Sequence, residues 1–444
     1  MTADPKSLAA VVMAAGLGRR MRSQTPKHLH PLLGRRLVDW AVAAAASVGP
    51  DPLVLVVSPE SASAFGGLTV AVQERPLGTG DAVRVARAHL GGATEVLVVS
   101  GDHPLLTAEL MAGLLETHRQ TQAAATVLSF SPPDPRAYGR ILRGPDGRLE
   151  VIVEAGDATP EQLPIGEVNS SMYVFEAAKL WPALDRLEPV NAQGELYLTD
   201  AVRFLVEDGE RVEVYEAPDP SIVEGVNTRA ELAAAAAVLR ERINRGHMLA
   251  GVTIVDPATT WIEADVELEA DTVVHPFTVL RGMTRVATGA EIGPHAVAVD
   301  AVVGEGVAVG PFCYLRPGTV LEAGAKAGAF VEIKNSQIGA RAKVPHLSYI
   351  GDADVGEDTN VAAGNITANL GHRPEEGKGR TRIGRNVKTG VHDTFVAPVE
   401  VGDDSWLASG SVITEDVPAG SLAGFPPRQV TKEGWVHEHG KRDD

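Results

Sequence analysis

The chain of 444 residues carries 40 Lys and Arg against 58 Asp and Glu, a formal net charge of −18. That balance excludes a general binder of nucleic acid or of anionic membranes, which needs a basic face, but leaves room for a local basic pocket around a small phosphorylated ligand. With 44% hydrophobic and 22% charged residues the chain is globular and long enough for two or three domains. A single cysteine, Cys313, excludes an intrachain disulfide and a cysteine zinc cluster and fits a reducing compartment. The apolar stretch at residues 8–15 is too short for a secretory leader or a membrane span, so a cytoplasmic location is expected.

Residues 8–13 form an apolar run that ends in a Gly-rich loop. Residues 37–48 read as an Ala-rich helix, 53–57 as a buried strand, 81–89 as a helix and 96–100 as another buried strand. Strands alternating with helices predict a Rossmann-like α/β domain with a parallel sheet covered on both faces. Ligands of such sheets bind at the carboxyl ends of the strands, so the loops after Met13 and Ser100 are the first candidates. Residues 228–247 read as a long Ala-rich helix with Asn227 or Thr228 as N-cap, compatible with a free-standing arm or with an ordinary packed helix.

After Gly251 the grammar changes. Aliphatic residues recur every six positions: Val303, Val309 and Leu315; Ile338, Val344 and Ile350; Val355 and Val361; Phe395, Val401, Leu407 and Ile413. Gly often follows them, as in Val303-Gly304 and Val401-Gly402. A hexapeptide repeat of this kind predicts a left-handed parallel β-helix, the aliphatic residue pointing inwards and a small or polar residue turning the corner. Residues 371–382 break the repeat with a polar loop, and 429–444 form a polar tail. The expected organisation is an α/β domain at 1–227, a linker helix at 228–250, a hexapeptide-repeat domain at 251–428 and the tail at 429–444.

The first chemical constellation is Ala14-Ala15-Gly16-Leu17-Gly18-Arg19-Arg20-Met21, followed by Pro26-Lys27. Small residues let backbone N–H groups approach a phosphate, and Arg20 and Lys27 supply charge for a triphosphate leaving group. A Gly-rich loop alone is weak evidence of phosphate binding, and this one is neither a Walker loop nor G-x-G-x-x-G. Taken alone, Asp102 reads equally as a turn residue, and Asn227 more often as a helix cap.

The extended pattern A-A-G-x-G-x-R-M-x(5)-K resembles the signature of sugar-1-phosphate nucleotidylyltransferases. Gln73, Leu77-Gly78-Thr79-Gly80, Gly101-Asp102, Tyr138-Gly139-Arg140, Glu154, Asn169, Tyr197-Leu198-Thr199-Asp200 and Gly225-Val226-Asn227 follow in the expected order. Over residues 8–428 the chain is similar to the bifunctional N-acetylglucosamine-1-phosphate uridylyltransferase/glucosamine-1-phosphate acetyltransferase family. The resemblance implies that N-acetylglucosamine 1-phosphate attacks the α-phosphate of UTP on the Ala14-Ala15-Gly16 loop. It implies Mg²⁺ on Asp102 and Asn227, uracil against Gln73, Gly78 and Thr79, and sugar held by Gly139, Glu154 and Asn169.

In the second half, Leu315-Arg316-Pro317-Gly318, the segment from Phe330 to Asn335 and the segment from His346 to Asp352 match motifs of the same family. An amine that arrives protonated needs a base before it can take an acetyl group from acetyl-CoA, and His346 is the candidate. The resemblance implies Arg316 and Lys334 as counter-charges for glucosamine 1-phosphate and Tyr349, Asn360 and Asn369 as orienting groups. Lys378 would approach from the polar loop, with coenzyme A along Ala363, Val391 and Ser409. It also implies a homotrimer.

The chain departs from the family pattern at several points. Leu370-Gly371-His372 replaces Tyr-Asp-Gly after Asn369, Arg373-Pro374-Glu375-Glu376 is inserted before Lys378, and Val361-Ala362-Ala363-Gly364 replaces Ile-Gly-Ala-Gly. Arg19 stands for the usual Thr and Asp81 for the usual His. A nucleotidylyltransferase with a purely structural β-helix, or a non-catalytic regulator of the same fold, stays open as an alternative.

Overall fold

The first apolar run forms β1 (Leu8–Ala14), buried at every residue. The computed structural model describes residues 7–135, 138–370, 377–424 and 429–439. In β1, Ala9, Val11 and Met13 enter one core while Leu8, Ala10, Val12 and Ala14 enter another on the opposite face. Burial on both faces is why the run shows no polar alternation. β2 (Leu53–Val57) pairs parallel with β1, β3 (Thr69–Val72) extends the sheet, and β4 (Glu95–Ser100) pairs parallel on the other side of β1. The helices are α1 (Leu37–Ala46), α2 (Thr79–Ala86), α3 (Ala108–Thr121), α4 (Ala177–Asp185) and α5 (Leu198–Glu207). Val38 of α1 and Leu114 of α3 close one face, and Val83, Leu180 and Ala201 of α2, α4 and α5 close the other.

The sheet is mixed rather than wholly parallel. After β5 (Ala125–Phe130) come β6 (Arg140–Arg143), β7 (Leu149–Val153) and β8 (Val168–Glu176) with no intervening helix. A parallel neighbour needs a long crossover, so these strands pair antiparallel instead. β8 inserts between β4 and β5, and β6 and β7 form a hairpin at its start. β9 (Val212–Glu216) returns parallel to β5. Met13 pairs with Ser100, so the loops after β1 and β4 open at the same edge.

α6 (Arg229–Leu249) is a packed helix rather than a bare arm. Ala235, Ala236 and Leu239 are buried, and the Asn244 side chain donates to the carbonyls of Pro257 and Thr260. The chain divides within this helix into two units, Met1–Leu239 and Arg240–Asp444.

The second unit is a left-handed parallel β-helix. Its strands stack into three parallel sheets. Ile292 pairs with Val309 and Val309 with Ala327, so one coil takes 17 or 18 residues, three hexapeptides. The six-residue series therefore walks around the prism: Val303, Val309 and Leu315 lie on three different faces and all are buried. At one corner Phe277, His295, Phe312 and Phe330 stack with ring centroids 4.7, 4.7 and 5.1 Å apart. Residues 429–438 of the tail are exposed, and the tail holds α7 (Trp435–His439). Residues 371–376 of the polar loop and 425–428 lie outside the described residues.

Candidate functional site

The carboxyl edge of β1 and β4 carries the first site. Met13, Gly16, Gly18, Lys27, Gln73, Gly78, Thr79 and Asp102 line a cleft of about 550 Å³. A smaller cleft of about 180 Å³ is lined by Arg20, Asp102, His103 and Asn227. Asp102 borders both, and the larger one takes Arg19 rather than Arg20.

The Lys27 ammonium hydrogen-bonds Asp102 Oδ2 and also donates to Asn227 Oδ1 at 2.7 Å. Ser100 Oγ donates to the other Asp102 oxygen at 2.6 Å, and His103 Nδ1 lies 2.8 Å from that oxygen. Burial alone would raise the Asp102 pKa, but Lys27, His103 and His28 overcome it and hold the carboxyl well below the ordinary carboxylate range. Burial pushes the His28 imidazole down to about 4, leaving it neutral near pH 7. His28 and His103 were not singled out in the sequence. Their only signal was adjacency to Lys27 and Asp102.

Asn227 is free to face Lys27 because it does not cap α6. Thr228 Oγ1 accepts from Glu231 N at 3.2 Å, and Glu231 Oε2 accepts from Thr228 N at 2.9 Å, a reciprocal capping box. Glu231 also takes the Asn227 backbone N–H at 2.7 Å, which pins that residue without using its side chain.

Gly78 sits where only glycine fits. Its φ is 113°, and an added Cβ would lie 2.5 Å from the Leu196 carbonyl oxygen. Thr79 Oγ1 accepts from Leu198 N at 3.0 Å, so this hydroxyl anchors the start of α5. Gly139, Glu154 and Asn169 form a separate group. A Cβ on Gly139 would lie 3.3 Å from Glu154 Oε2, and the Gly139 carbonyl accepts from Asn169 N at 2.8 Å. Asn169 Nδ2 donates to Tyr173 Oη at 2.7 Å. Burial raises the Glu154 pKa against the opposing Thr199 hydroxyl.

In the second unit the ladder brings Arg316 and Lys334 onto neighbouring coils, with the Arg316 N–H bonded to the Ile333 carbonyl. Arg316 pairs with Glu332 at 2.8 Å. Asp352 gathers Asn335 at 2.6 Å, Lys334 at 3.9 Å and the Asn369 amide. Burial opposes ionisation of Asp352, but these amides together with Lys334 and Lys378 hold its pKa down. The neighbouring Lys334 lowers the Lys378 pKa, so two ammonium groups face one place.

Lys343, Asn360, Lys388 and Trp406 bridge in register from coil to coil. Three residues further along each coil stand His346, Ala363, Val391 and Ser409, in one column. Val391 N donates to Ser409 Oγ at 3.1 Å, and the Ala363 carbonyl accepts from His392 N at 2.8 Å. His346 and Asn360 are exposed, Tyr349 is half-buried, and Leu370 is 71% exposed.

Among the described residues no cluster of three or more His, Cys, Asp or Glu could hold a metal ion, and no helix is long and apolar enough to cross a membrane. Residues 10–198 match the MobA-like NTP transferase domain family. The proteins called Bifunctional protein GlmU from Mycobacterium ulcerans and Mycobacterium marinum are each 46% identical over 97% of this chain and 93% of their own length. That from Mycobacterium tuberculosis is 46% identical over 97% of this chain and 92% of its own. Similarity at this level over both units shows that the chain belongs to the GlmU family and is a bifunctional transferase, not a non-catalytic protein of the same fold.

Proposed function

We propose that the first unit transfers UMP from UTP to N-acetylglucosamine 1-phosphate and that the second acetylates glucosamine 1-phosphate with acetyl-CoA. The observation that carries the first reaction is the convergence of Asp102 and Asn227 on one cation, the Lys27 ammonium. Oxygen donors that already share a cation fit Mg²⁺, which prefers few protein oxygens and completes its shell with water and phosphate. When bound there, Mg²⁺ would neutralise charge on the nucleotide phosphates. Lys27 and Arg20 add to that neutralisation, and the backbone of Ala14, Ala15 and Gly16 receives phosphate oxygens. A phosphate oxygen of the sugar attacks the α-phosphorus, the bond to the β-phosphate oxygen breaks, and pyrophosphate leaves.

In the second reaction Arg316, Lys334 and Lys378 hold the sugar phosphate, and Tyr349, Asn360 and Asn369 orient the sugar and acetyl group. The amine nitrogen attacks the thioester carbonyl and His346 accepts the amine proton. The C–S bond breaks and the coenzyme leaves as thiol. The column of His346, Ala363, Val391 and Ser409 supports a donor lying along one corner of the prism. A homotrimer would place these corner residues beside a neighbouring chain, and the reducing compartment implied by one buried cysteine fits the cytoplasm.

The test is a pair of assays on the purified protein. UTP with N-acetylglucosamine 1-phosphate should release pyrophosphate, and acetyl-CoA with glucosamine 1-phosphate should release free thiol. Absence of thiol at saturating acetyl-CoA would refute the second assignment and leave the first standing.

A further inference from the structure

Gln73 follows β3 and lines the larger cleft, and its side chain is 5% exposed. Its amide nitrogen has two hydrogens, and both are engaged. Nε2 donates to the Gly78 carbonyl at 3.0 Å and to Asp81 Oδ2 at 2.9 Å. A backbone carbonyl and an ionised carboxylate can only accept. The orientation of this amide, often ambiguous between its nitrogen and oxygen, is therefore decided by its partners. Asp81, 6% exposed, is itself held by Arg84 at 2.7 Å through its other oxygen. The chain of Arg84, Asp81 and Gln73 is thus donor to acceptor, then acceptor to donor.

We propose that Asp81 is a specificity-determining positioning residue. By fixing the Gln73 amide with its nitrogen turned to the protein, it leaves Oε1 as the only group Gln73 offers the cleft, so that a pyrimidine carrying a ring N–H is accepted and one carrying a bare ring nitrogen is refused. This inference rests on the reading that Gln73 faces the base. Uracil presents N3–H as a donor to that oxygen. Cytosine presents N3 as an acceptor, which would meet Oε1 lone pair to lone pair and leave a buried acceptor unsatisfied. A free amide would flip to suit either base. Asp81 and the Gly78 carbonyl oppose the flip together, because turning Oε1 towards either sets two acceptors against each other, and the carboxylate, charged and held by Arg84, supplies the larger share. The selectivity therefore comes from a penalty against the wrong base as well as a contact to the right one.

The experiment measures kcat/KM for UTP and for CTP, by pyrophosphate release, in the parent, Asp81→Asn, Asp81→Ala and Gln73→Ala. The expected result is a UTP-to-CTP ratio that falls about ten-fold or more in Asp81→Ala and by less in Asp81→Asn, the scale of one hydrogen bond to a charged group. Should Asp81→Ala fail to fold, Asp81→Asn keeps the side-chain shape and carries the test alone. A merely structural Asp81 would lower both nucleotides in proportion; an unchanged ratio in the Asp81 variants, with a lowered ratio in Gln73→Ala, overturns the inference while leaving Gln73 at the base. An unchanged ratio in Gln73→Ala as well overturns the placement of the base itself.

Discussion

Lys27 Nζ donates to Asn227 Oδ1 at 2.7 Å, joining residues 200 positions apart. The same ammonium bonds Asp102, so a loop after β1, a loop after β4 and the approach to α6 meet at one charge. Lys27 is 7% exposed, and the cation is held by the two oxygens proposed to serve the metal.

On the proposed function, Lys27 would turn towards the nucleotide phosphates before both oxygens could serve another cation. Lys27→Met should lower uridylyl transfer at least about 100-fold, as expected when preorganised charge at a phosphoryl site is lost. The same substitution should tighten Mn²⁺ binding to the nucleotide-free protein several-fold, read by electron paramagnetic resonance. Asn227→Ala should weaken both. Acetyl transfer should change little in either variant, and Mn²⁺ binding unaltered by Lys27→Met would contradict the shared site.

His346→Ala should lower acetyl transfer by roughly 10²–10⁴-fold, the usual worth of a general base, with uridylyl transfer retained. The resemblance implies a tyrosine at the position of the exposed Leu370, so on the proposed function the donor side should be the weaker one. The KM for acetyl-CoA should be high relative to that for glucosamine 1-phosphate, and Leu370→Tyr with Gly371→Asp should lower it selectively. Gly371 lies outside the described residues. Full acetyl transfer in His346→Ala would send the search for a base elsewhere, His372 first.

Cys313 is 2% exposed, and burial pushes its thiol up to about 12. Only the thiolate reacts, so a disulfide reagent at pH 8 should leave the native protein unlabelled and label one thiol after denaturation. Because the folded pKa is raised above the ordinary thiol value, the stability it contributes is complete below that value and is lost as pH climbs through about 12. Rapid labelling of the native protein at pH 8 would contradict the buried assignment.

The β-helix should assemble as a homotrimer. Light scattering coupled to size exclusion should give three times the 46.6 kDa of one chain. A single-chain mass at micromolar concentration would rule the assembly out.

Local features were legible in the sequence. The six-residue phase marked the β-helix because each hexapeptide lays down one short strand and one corner, a repeat written directly along the chain. The buried strands at 53–57 and 96–100 and the Gly-rich turn after β1 were equally visible, since each depends on neighbours in sequence. The tertiary structure decided the rest. It turned β8 antiparallel between β4 and β5, and it assigned the α6 cap to Thr228, releasing Asn227. It also buried His28 and His103 around Asp102 and set Asp81 against Gln73. Period and composition say which residues leave water and which turn the chain. Which lone pair meets which hydrogen depends on distances between segments far apart in sequence, and only the packed sheet sets those distances.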